Sequence, residues 1–225
     1  MTQALDRSRP VLCFVHEART ADPPERLWLI GDEAWSRVDL VQVRGKALPA
    51  VELEGLARGW VARLAALRPR VIVNDRLDIA LAAGAHGVHL GRDDLPLAVA
   101  RELAPRGFLI GASTHGRQEL LAAQEAGADY AGLGAFFDTS TKPGASRLEP
   151  LATGVAEPVP GLEIAVLAIG GITAENLPRA LETGVTTGVA VSSAIQGAPD
   201  PEAAIVELHE SIMRSWEGAR EGVSP

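Results

Sequence analysis

The 225-residue chain has a single cysteine, and aromatic residues make up only 4% of its composition. A lone thiol at Cys13 cannot form an internal disulfide or a cysteine-based metal cluster, which favours a reducing compartment. No stretch approaches the roughly 18 to 20 consecutive apolar residues of a membrane span, and the N-terminus lacks the apolar stretch of a signal peptide. We therefore expect a cytoplasmic protein without a membrane partner.

Positive charge is scarce as well. The chain carries 21 Lys and Arg against 29 Asp and Glu, which gives a formal net charge of −8. Binding of nucleic acid is not expected, because neutralising a phosphate backbone needs a clustered excess of Lys and Arg. The 47% hydrophobic content is enough for a sizeable core, and the length suits one domain. A homo-oligomer is compatible with the sequence, which carries no specific sign of one.

The apolar residues fall into eight short, β-branched runs separated by longer Ala- and Leu-rich stretches, an alternation typical of βα units. The predicted strands are Val11–Val15, Val38–Arg44, Arg70–Asn74, Gly87–Leu90, Leu109–Ser113, Tyr130–Gly134, Ile164–Gly170 and Gly188–Val191. The predicted helices are Glu25–Trp35, Pro49–Leu67, Leu77–Ala83, Pro96–Ala104, Arg117–Ala126, Leu148–Val155, Ala174–Thr183 and Pro201–Trp216. This pattern predicts an α/β fold, a single-domain (β/α)8 TIM barrel over 1–225 that ends in a loose tail at about 217–225.

Active sites of such barrels lie at the carboxyl ends of the strands, so the residues that follow each strand are the functional candidates. The second strand runs into Gln42-Val43-Arg44-Gly45-Lys46. Alternation along a strand puts Gln42 and Arg44 on one face, from which both can project into the barrel mouth with Lys46 just beyond. Taken alone, the segment fits a solvated strand end with two ordinary cations better.

Aspartates follow the third and fourth strands, at Asp75 and Asp94. Neighbouring strands lie about 4.8 Å apart, so carboxylates just past their ends can converge on one ion. Mg²⁺ is usually bound by one or two carboxylates, with water and substrate phosphate completing its coordination. The pair is therefore a candidate magnesium site, and the alternative is that each aspartate caps the helix that follows it.

Histidine and hydroxyl side chains also lie near the predicted mouth. His89 is one residue before the end of the fourth strand, and Ser113 and His115 lie at or after the end of the fifth. A histidine on a barrel strand is more often a structural interior residue than a catalyst, but His89 would point toward the same mouth as Asp75. Structural or surface roles are expected for the remaining histidines, which are His16, His86 and His209.

The last three strands end in features that suit anions. A loop with Thr139, Thr141 and Lys142 follows the sixth strand and could close on an anion, although a plain hydroxyl-rich turn is the alternative. The seventh strand ends in Gly170-Gly171 and the eighth in Ser192-Ser193. Glycine N–H groups, neighbouring hydroxyls and a helix N-terminus make the phosphate cradle typical of barrel strands seven and eight. A tight turn without a ligand would explain the glycines but not their position.

The sequence thus predicts two anion sites. The first combines the two aspartates with the cations Arg44, Lys46 and Lys142 and suits a diphosphate with Mg²⁺. The second, at strands seven and eight, suits a monophosphate without a metal. An enzyme with both sites could hold a diphosphate ester beside a phosphorylated acceptor and let the diphosphate leave.

Strings spread over nearly the whole chain resemble the thiamine phosphate synthase family. They are QVRGK (42–46), VNDRLDIALAAGAHGVHLGRDDLP (73–96), GASTH (111–115), ADYAGLGAFFDTSTK (128–142), AIGGI (168–172) and VAVSSAI (189–195). VNDR, VHLGRDDLP and the T-x-T-K loop are the specific ones. The resemblance implies a Mg²⁺-dependent transferase that joins hydroxymethylpyrimidine diphosphate to thiazole phosphate and releases diphosphate.

The resemblance also implies roles for the matching residues. Those that would hold the diphosphate are Arg44, Lys46, Asn74 and Lys142, with Asp75 and Asp94 on Mg²⁺. Those that would orient the pyrimidine are Gln42, His89 and Ser113. Those that would surround the thiazole phosphate are Thr139, Thr141, Gly171, Ser192 and Ser193. The residues counted as catalytic are Arg44, Lys46, Lys142 and Ser113.

Three positions depart from the family's pattern, in which glutamate is usual at Gly45, proline at Asp138 and aspartate at Thr187. These departures leave room for an altered substrate preference. The alternatives are a thiazole tautomerase, a sister family that uses a histidine at the position of His115, and a non-catalytic binder of thiamine phosphate. The aspartates of NDR and GRDD, which tautomerases tend to lack, favour the synthase.

Overall fold

Eight parallel strands close into a barrel in the computed structural model, which describes residues 5, 7–20, 25–139, 155 and 157–221. The strands pair in chain order, and the eighth closes on the first. They are β1 (Val11–Glu17), β2 (Leu40–Arg44), β3 (Arg70–Asn74), β4 (Gly87–Leu90), β5 (Leu109–Thr114), β6 (Tyr130–Gly134), β7 (Ala165–Ile169) and β8 (Gly188–Val191). The predicted TIM barrel is confirmed.

Helices lie between the strands and after the last of them. Within the described residues they are α1 (Glu25–Trp28), α2 (Asp32–Trp35), α3 (Ala50–Leu64), α4 (Leu77–Ala82), α5 (Leu97–Leu103), α6 (Arg117–Glu125), α7 (Leu177–Leu181), α8 (Ser193–Gln196) and α9 (Pro201–Glu221). The helix predicted at 148–155 lies outside the described residues except for Val155. None of the described helices combines the length and apolar character needed to cross a membrane.

Besides shifts of one to three residues at the ends of other elements, three features of the helices differ from the prediction. One helix was expected over 25–35, but Gly31 is extended there, and its N–H donates to Glu202 of α9 at 2.9 Å, so two short helices form instead. The short helix α8, directly after β8, has too few apolar positions to be visible as a periodic pattern. Helix α9 continues to Glu221, where a loose tail was expected after Trp216.

Strand alternation separates the apolar residues into two layers. One layer fills the barrel and consists of Leu5, Val11, Cys13, Val15, Leu40, Ile72, Leu109, Tyr130, Ala165, Leu167 and Ala190. The other, larger layer lies between the strands and the helices. The inward positions of β2, β4 and β5 become polar only near their carboxyl ends, and those of β3 are polar at both ends, where Arg70 and Asn74 flank Ile72. An apolar layer therefore fills the middle of the barrel, and the carboxyl end forms a polar mouth.

A repeated hydrogen-bond clamp joins the strands in pairs at the amino end of the barrel. The residue just before each even-numbered strand donates its N–H to the carbonyl of the second residue of the preceding strand, at 2.7–2.8 Å. Its side chain accepts that residue's N–H in return, at 2.8–3.0 Å. The clamps are Asp39 on Leu12, His86 on Val71, Asp129 on Ile110 and Thr187 on Val166. They hold the strand register at the end of the barrel opposite the mouth. In the last clamp the hydroxyl of Thr187 accepts the backbone N–H, as the carboxylates of Asp39 and Asp129 do in theirs.

His16 lies in an aromatic cluster outside the barrel wall. Its Nδ1 accepts a hydrogen bond from Trp60 Nε1 at 3.0 Å, and it stacks near Phe14. The side chain is 1% exposed, and burial lowers the pKa of His16 to about 4. The neutral ring is therefore a structural part of the core, as the sequence suggested.

The stability of the fold should depend on pH through His16. An unfolded histidine has a pKa near 6.5, so below that pH the unfolded chain binds a proton that the folded chain does not. This contribution is fully present above pH 6.5 and is lost as the pH falls toward 4. Between pH 7 and pH 5, urea unfolding should show about 2 kcal/mol less stability from this group.

Carboxylates also titrate in this range, so a variant must isolate the histidine. His16→Gln should reduce the difference in stability between the two pH values, because it removes the buried imidazole. An unaltered difference in His16→Gln would contradict the assignment.

Candidate active site

The end of β2 supplies two inward side chains to the mouth. Gln42 is 4% exposed, and its amide nitrogen is buried without a hydrogen-bond partner among the described residues. Arg44 forms an ion pair with Glu17, which stands opposite it in the register of β1 and β2. Both residues lie on the face that the alternation predicts. Glu17 escaped the sequence analysis because β1 was expected to end at Val15.

Asp75 follows β3 in a left-handed backbone conformation, with φ of 66°, which a non-glycine residue seldom adopts. Its backbone N–H donates to the carbonyl of His89 at 2.8 Å, and Asn74 Nδ2 donates to its carboxylate. Lys46 Nζ lies 3.8 Å from Asp75 Oδ2. The segment after β3 therefore brings a carboxylate, an amide and the lysine that follows β2 into one place.

Asp94 faces Asp75. Burial is the largest cause that raises the pKa of Asp75 to about 6, followed by the charge of Asp94 and a hydrogen bond between the two carboxyl groups; Lys46 and Arg44 lower it. The helix-cap alternative fails for both residues, because neither α4 nor α5 has a side-chain cap. Asp94 Oδ2 instead accepts the N–H of Gly91 at 2.7 Å, a bond within its own loop.

Two converging carboxylates, of which Asp75 has a raised pKa, are a suitable donor set for a divalent cation, which relieves the repulsion between them. The described residues contain no group of three or more His, Cys, Asp or Glu side chains that could hold a metal ion. A closed protein-only site of the zinc type is thus absent from that part of the chain. Mg²⁺ needs only one or two carboxylates when substrate and water complete its coordination, so these residues fit it.

Three side chains that can form hydrogen bonds continue the mouth toward β4, β5 and β6. His89 is buried, and its Nε2 lies 3.0 Å from Ser113 Oγ. Its Nδ1 lies 3.2 Å from the hydroxyl of Tyr130, which the sequence analysis did not single out. The signal for Tyr130 was weak, because a tyrosine at the start of an apolar strand is usually a core residue.

His115 lies elsewhere. It is about half exposed, and both its N–H and its Nδ1 contact Glu119 Oε2 of α6, at 2.8 and 3.0 Å. Arg92 binds the same carboxylate at 2.6 Å. His115 therefore belongs to a surface ion-pair group at the start of α6, and His89 is the histidine buried at the mouth.

The glycine pair after β7 packs against the segment that follows β6. Gly170 and Gly171 have φ of 99° and 63°, which favour glycine. A Cβ on Gly171 would come within 2.3 Å of the Asp138 carbonyl oxygen, and the N–H of Phe137 donates to the Gly170 carbonyl at 3.0 Å. Both glycines are thus required for this close approach, which brings Thr139, just after Asp138, next to the end of β7. Thr141 and Lys142 lie outside the described residues.

Ser192 and Ser193 follow β8 at the start of α8. Ile169 pairs with Ala190 in the sheet, so Gly171 and Ser192, each two residues further on, follow at the same level. The hydroxyl oxygen of Ser192 is buried and has no hydrogen-bond partner among the described residues. Ser193 is exposed. An unpartnered buried hydroxyl beside a glycine turn and a helix start is what a bound phosphate oxygen would satisfy.

Comparison with known proteins finds one family and several relatives that match most of the chain. The family described as Thiamine monophosphate synthase matches residues 13–195. A thiamine-phosphate synthase of Chlorobium phaeovibrioides is 38% identical over 92% of this chain and 98% of its own length, and one of Chlorobium luteolum is 40% identical over 95% and 96%. The structure of a thiamine phosphate pyrophosphorylase from Pyrococcus furiosus superposes with a TM-score of 0.77 at 35% identity, covering 93% of this chain and 98% of that one.

More distant structures share the fold alone; a 3-hexulose-6-phosphate synthase, for example, has a TM-score of 0.64 at 20% identity. The family match spans most of the chain, and the two Chlorobium relatives and the Pyrococcus furiosus structure are covered almost completely. The family and the transferase class predicted from the sequence are confirmed. This chain belongs to the thiamine monophosphate synthase family.

Proposed function

We propose that the barrel mouth holds hydroxymethylpyrimidine diphosphate beside thiazole phosphate and joins them into thiamine phosphate, with release of diphosphate. The observation that carries the proposal is the convergence of Asp75 and Asp94 next to Lys46, Asn74 and Arg44. Carboxylates and cations in one small space suit a metal-bound diphosphate, since neither group alone would bind it as well.

Asp75 and Asp94 would hold Mg²⁺, which when bound would neutralise part of the charge of the diphosphate. Arg44 and Lys46 would bind the remaining oxygens, and Lys142, outside the described residues, is assigned to the same role. Glu17 fixes the guanidinium of Arg44 at the mouth. These fixed charges stabilise the leaving group as its C–O bond breaks and both electrons of the bond leave with the diphosphate.

The ring left behind is a pyrimidinylmethyl cation that its own amino group stabilises. The thiazole nitrogen then donates its lone pair to the exocyclic carbon and forms the new C–N bond. The reaction needs no protein nucleophile, so the residues around the ring have to orient it and exclude water. Gln42, whose amide nitrogen is buried without a partner among the described residues, and the His89–Ser113 pair suit this task.

The thiazole phosphate would lie at the ends of β7 and β8, between Gly171, Ser192, Ser193 and Thr139, with Thr141 assigned to the same site from the resemblance alone. The unpartnered hydroxyl of Ser192 supports this assignment. Placing the two phosphorylated groups on opposite sides of the mouth leaves the middle for the two rings.

Asp75→Asn should abolish diphosphate release from the two substrates, by on the order of 100-fold or more, because the cation would lose one of its two carboxylates. Diphosphate release with and without a chelator measures the effect. Asp78→Asn is the matched control, since Asp78 is an exposed aspartate on α4 paired with Arg76. Turnover that survives chelation would contradict the metal assignment.

The metal site also predicts how Asp75 titrates. In metal-free protein its carboxyl should titrate near pH 6, as followed by carbon NMR of the side chain. Asp94→Asn should lower this pKa by removing the neighbouring charge, and added Mg²⁺ should lower it in the wild type by competing with the proton. Asp93→Asn removes an exposed charge from the adjacent position and should have little effect. An unchanged pKa in Asp94→Asn would show that the carboxylates do not converge.

Ser192→Ala should raise the KM for thiazole phosphate about tenfold, the cost of one hydrogen bond to a charged group. The KM for the pyrimidine diphosphate should stay the same, because that substrate would bind on the other side of the mouth. Steady-state kinetics with each substrate varied in turn measures both. Ser215→Ala is the control, because the hydroxyl of Ser215 donates to the Ser211 carbonyl within α9 at 2.9 Å. A rise in the KM for the pyrimidine diphosphate instead would mean that Ser192 belongs to the site of that substrate.

A further inference from the structure

A line of three side chains connects the barrel interior with the mouth. Tyr130 is 1% exposed and lies in the apolar layer that fills the barrel. Its hydroxyl is 3.2 Å from His89 Nδ1, and His89 Nε2 is 3.0 Å from Ser113 Oγ. The proposed function uses His89 and Ser113 but leaves Tyr130 without a role.

The contact between Tyr130 and His89 is possible because Gly111 of β5 has no side chain. A Cβ on Gly111 would lie 2.2 Å from Tyr130 Cζ and 2.5 Å from His89 Nδ1, far closer than atoms can approach. A glycine is therefore required where the two rings meet, and any larger residue would separate them. The tyrosine is more than an apolar filler, because phenylalanine would fill the same space without burying a polar group.

The direction of the hydrogen bonds follows from the tyrosine. Its hydrogen-bond partner among the described residues is His89 Nδ1, so the phenol proton has to be donated to that nitrogen or be left buried and unpaired. Burial holds the pKa of Tyr130 well above its usual value of 10, so the proton stays on the oxygen. Donation to Nδ1 selects the histidine tautomer that carries its hydrogen on Nε2.

The next bond follows from that tautomer. The Nε2–H donates to Ser113 Oγ, which leaves the hydroxyl hydrogen of Ser113 to point away from His89. Ser113 is only half-buried and stands on the inward face of β5 near its carboxyl end. It is thus oriented as a donor toward whatever lies in the mouth.

We propose that Tyr130 is a positioning residue that, acting through the tautomer of His89, holds Ser113 as a hydrogen-bond donor to the pyrimidine diphosphate substrate. The inference rests on the proposed function for the identity of that substrate. It adds a specificity rule: the substrate atom facing Ser113 must be an acceptor, such as an unprotonated ring nitrogen or a diphosphate oxygen. An analogue that carries N–H at that place should be rejected, because two donors would face each other.

The tautomer can be measured without any assay of activity. In wild-type protein, ¹⁵N NMR of the imidazole groups should show the Nε2–H form of His89, assigned by its loss in His89→Gln. Tyr130→Phe should shift the population toward a mixture of the two tautomers. A wild-type Nδ1–H tautomer, or one that Tyr130→Phe leaves unchanged, would overturn the proposal even if the protein proves to be an active synthase.

Kinetics separates positioning from a structural role. Tyr130→Phe should lower kcat/KM for the pyrimidine diphosphate about tenfold, corresponding to one misdirected hydrogen bond, and leave the KM for thiazole phosphate unchanged. In a Ser113→Ala background the same substitution should have almost no further effect, because the group it orients is gone. Equal losses in both backgrounds would mean that Tyr130 acts only through stability, and the proposal would fall.

If neither substrate pair turns over but the tautomer responds as expected, the hydrogen-bond line stands and the proposed function fails. If turnover is normal but the tautomer of His89 does not change in Tyr130→Phe, the proposed function stands and the role of Tyr130 fails. The two results are therefore distinguishable in one set of variants.

Discussion

The closed parallel register of the eight strands is the constraint on which the site depends. In a closed sheet of parallel strands all carboxyl ends meet at one rim, so residues far apart in the chain become neighbours. Glu17 and Gln196 are such a pair, because the N–H of Glu17 donates to Gln196 Oε1 at 2.9 Å. The register is held from the opposite end by the four clamps, in which a side chain before each even strand binds the backbone of the strand before it. The strand register held at the amino end therefore determines which side chains stand next to each other at the mouth.

The mouth concentrates charge within a protein that is acidic overall. Asp75 and Asp94 are held together although the charge of Asp94 disfavours the ionised form of Asp75, and this charge is, after burial, the second cause of the raised pKa of Asp75. The left-handed backbone at Asp75 is a second unfavourable feature, since non-glycine residues rarely adopt that conformation. Unfavourable local features of this kind collect where function requires them, and a bound cation would relieve the electrostatic part.

Several parts of the site could be read from the sequence because they depend on local pattern. Strand alternation placed Gln42 and Arg44 on one face, and chain order placed Asp75 and Asp94 on neighbouring strands. The sequence could not separate the metal and cap interpretations of these aspartates, because the same residue type before a helix serves both. The contacts argue against the cap interpretation: Asp94 binds the N–H of Gly91, and neither following helix is capped by a side chain. Glu17 was missed because β1 was expected to end at Val15, and Tyr130 because a tyrosine at the start of an apolar strand is usually a core residue. Their partners, Arg44 and His89, lie on other strands.

The sequence by itself determined the class of fold, the order of strands and helices, and the family, because apolar periodicity, turn residues and short motifs are properties of neighbouring residues. Only the tertiary structure decided which polar atoms face each other. It separated His115, bound to Glu119 on the surface, from His89 at the mouth, and it assigned Gly111 to the contact between Tyr130 and His89. The physical reason is that hydrogen bonds and ion pairs act over about 3 Å, and closure of the barrel is what brings distant residues within that range.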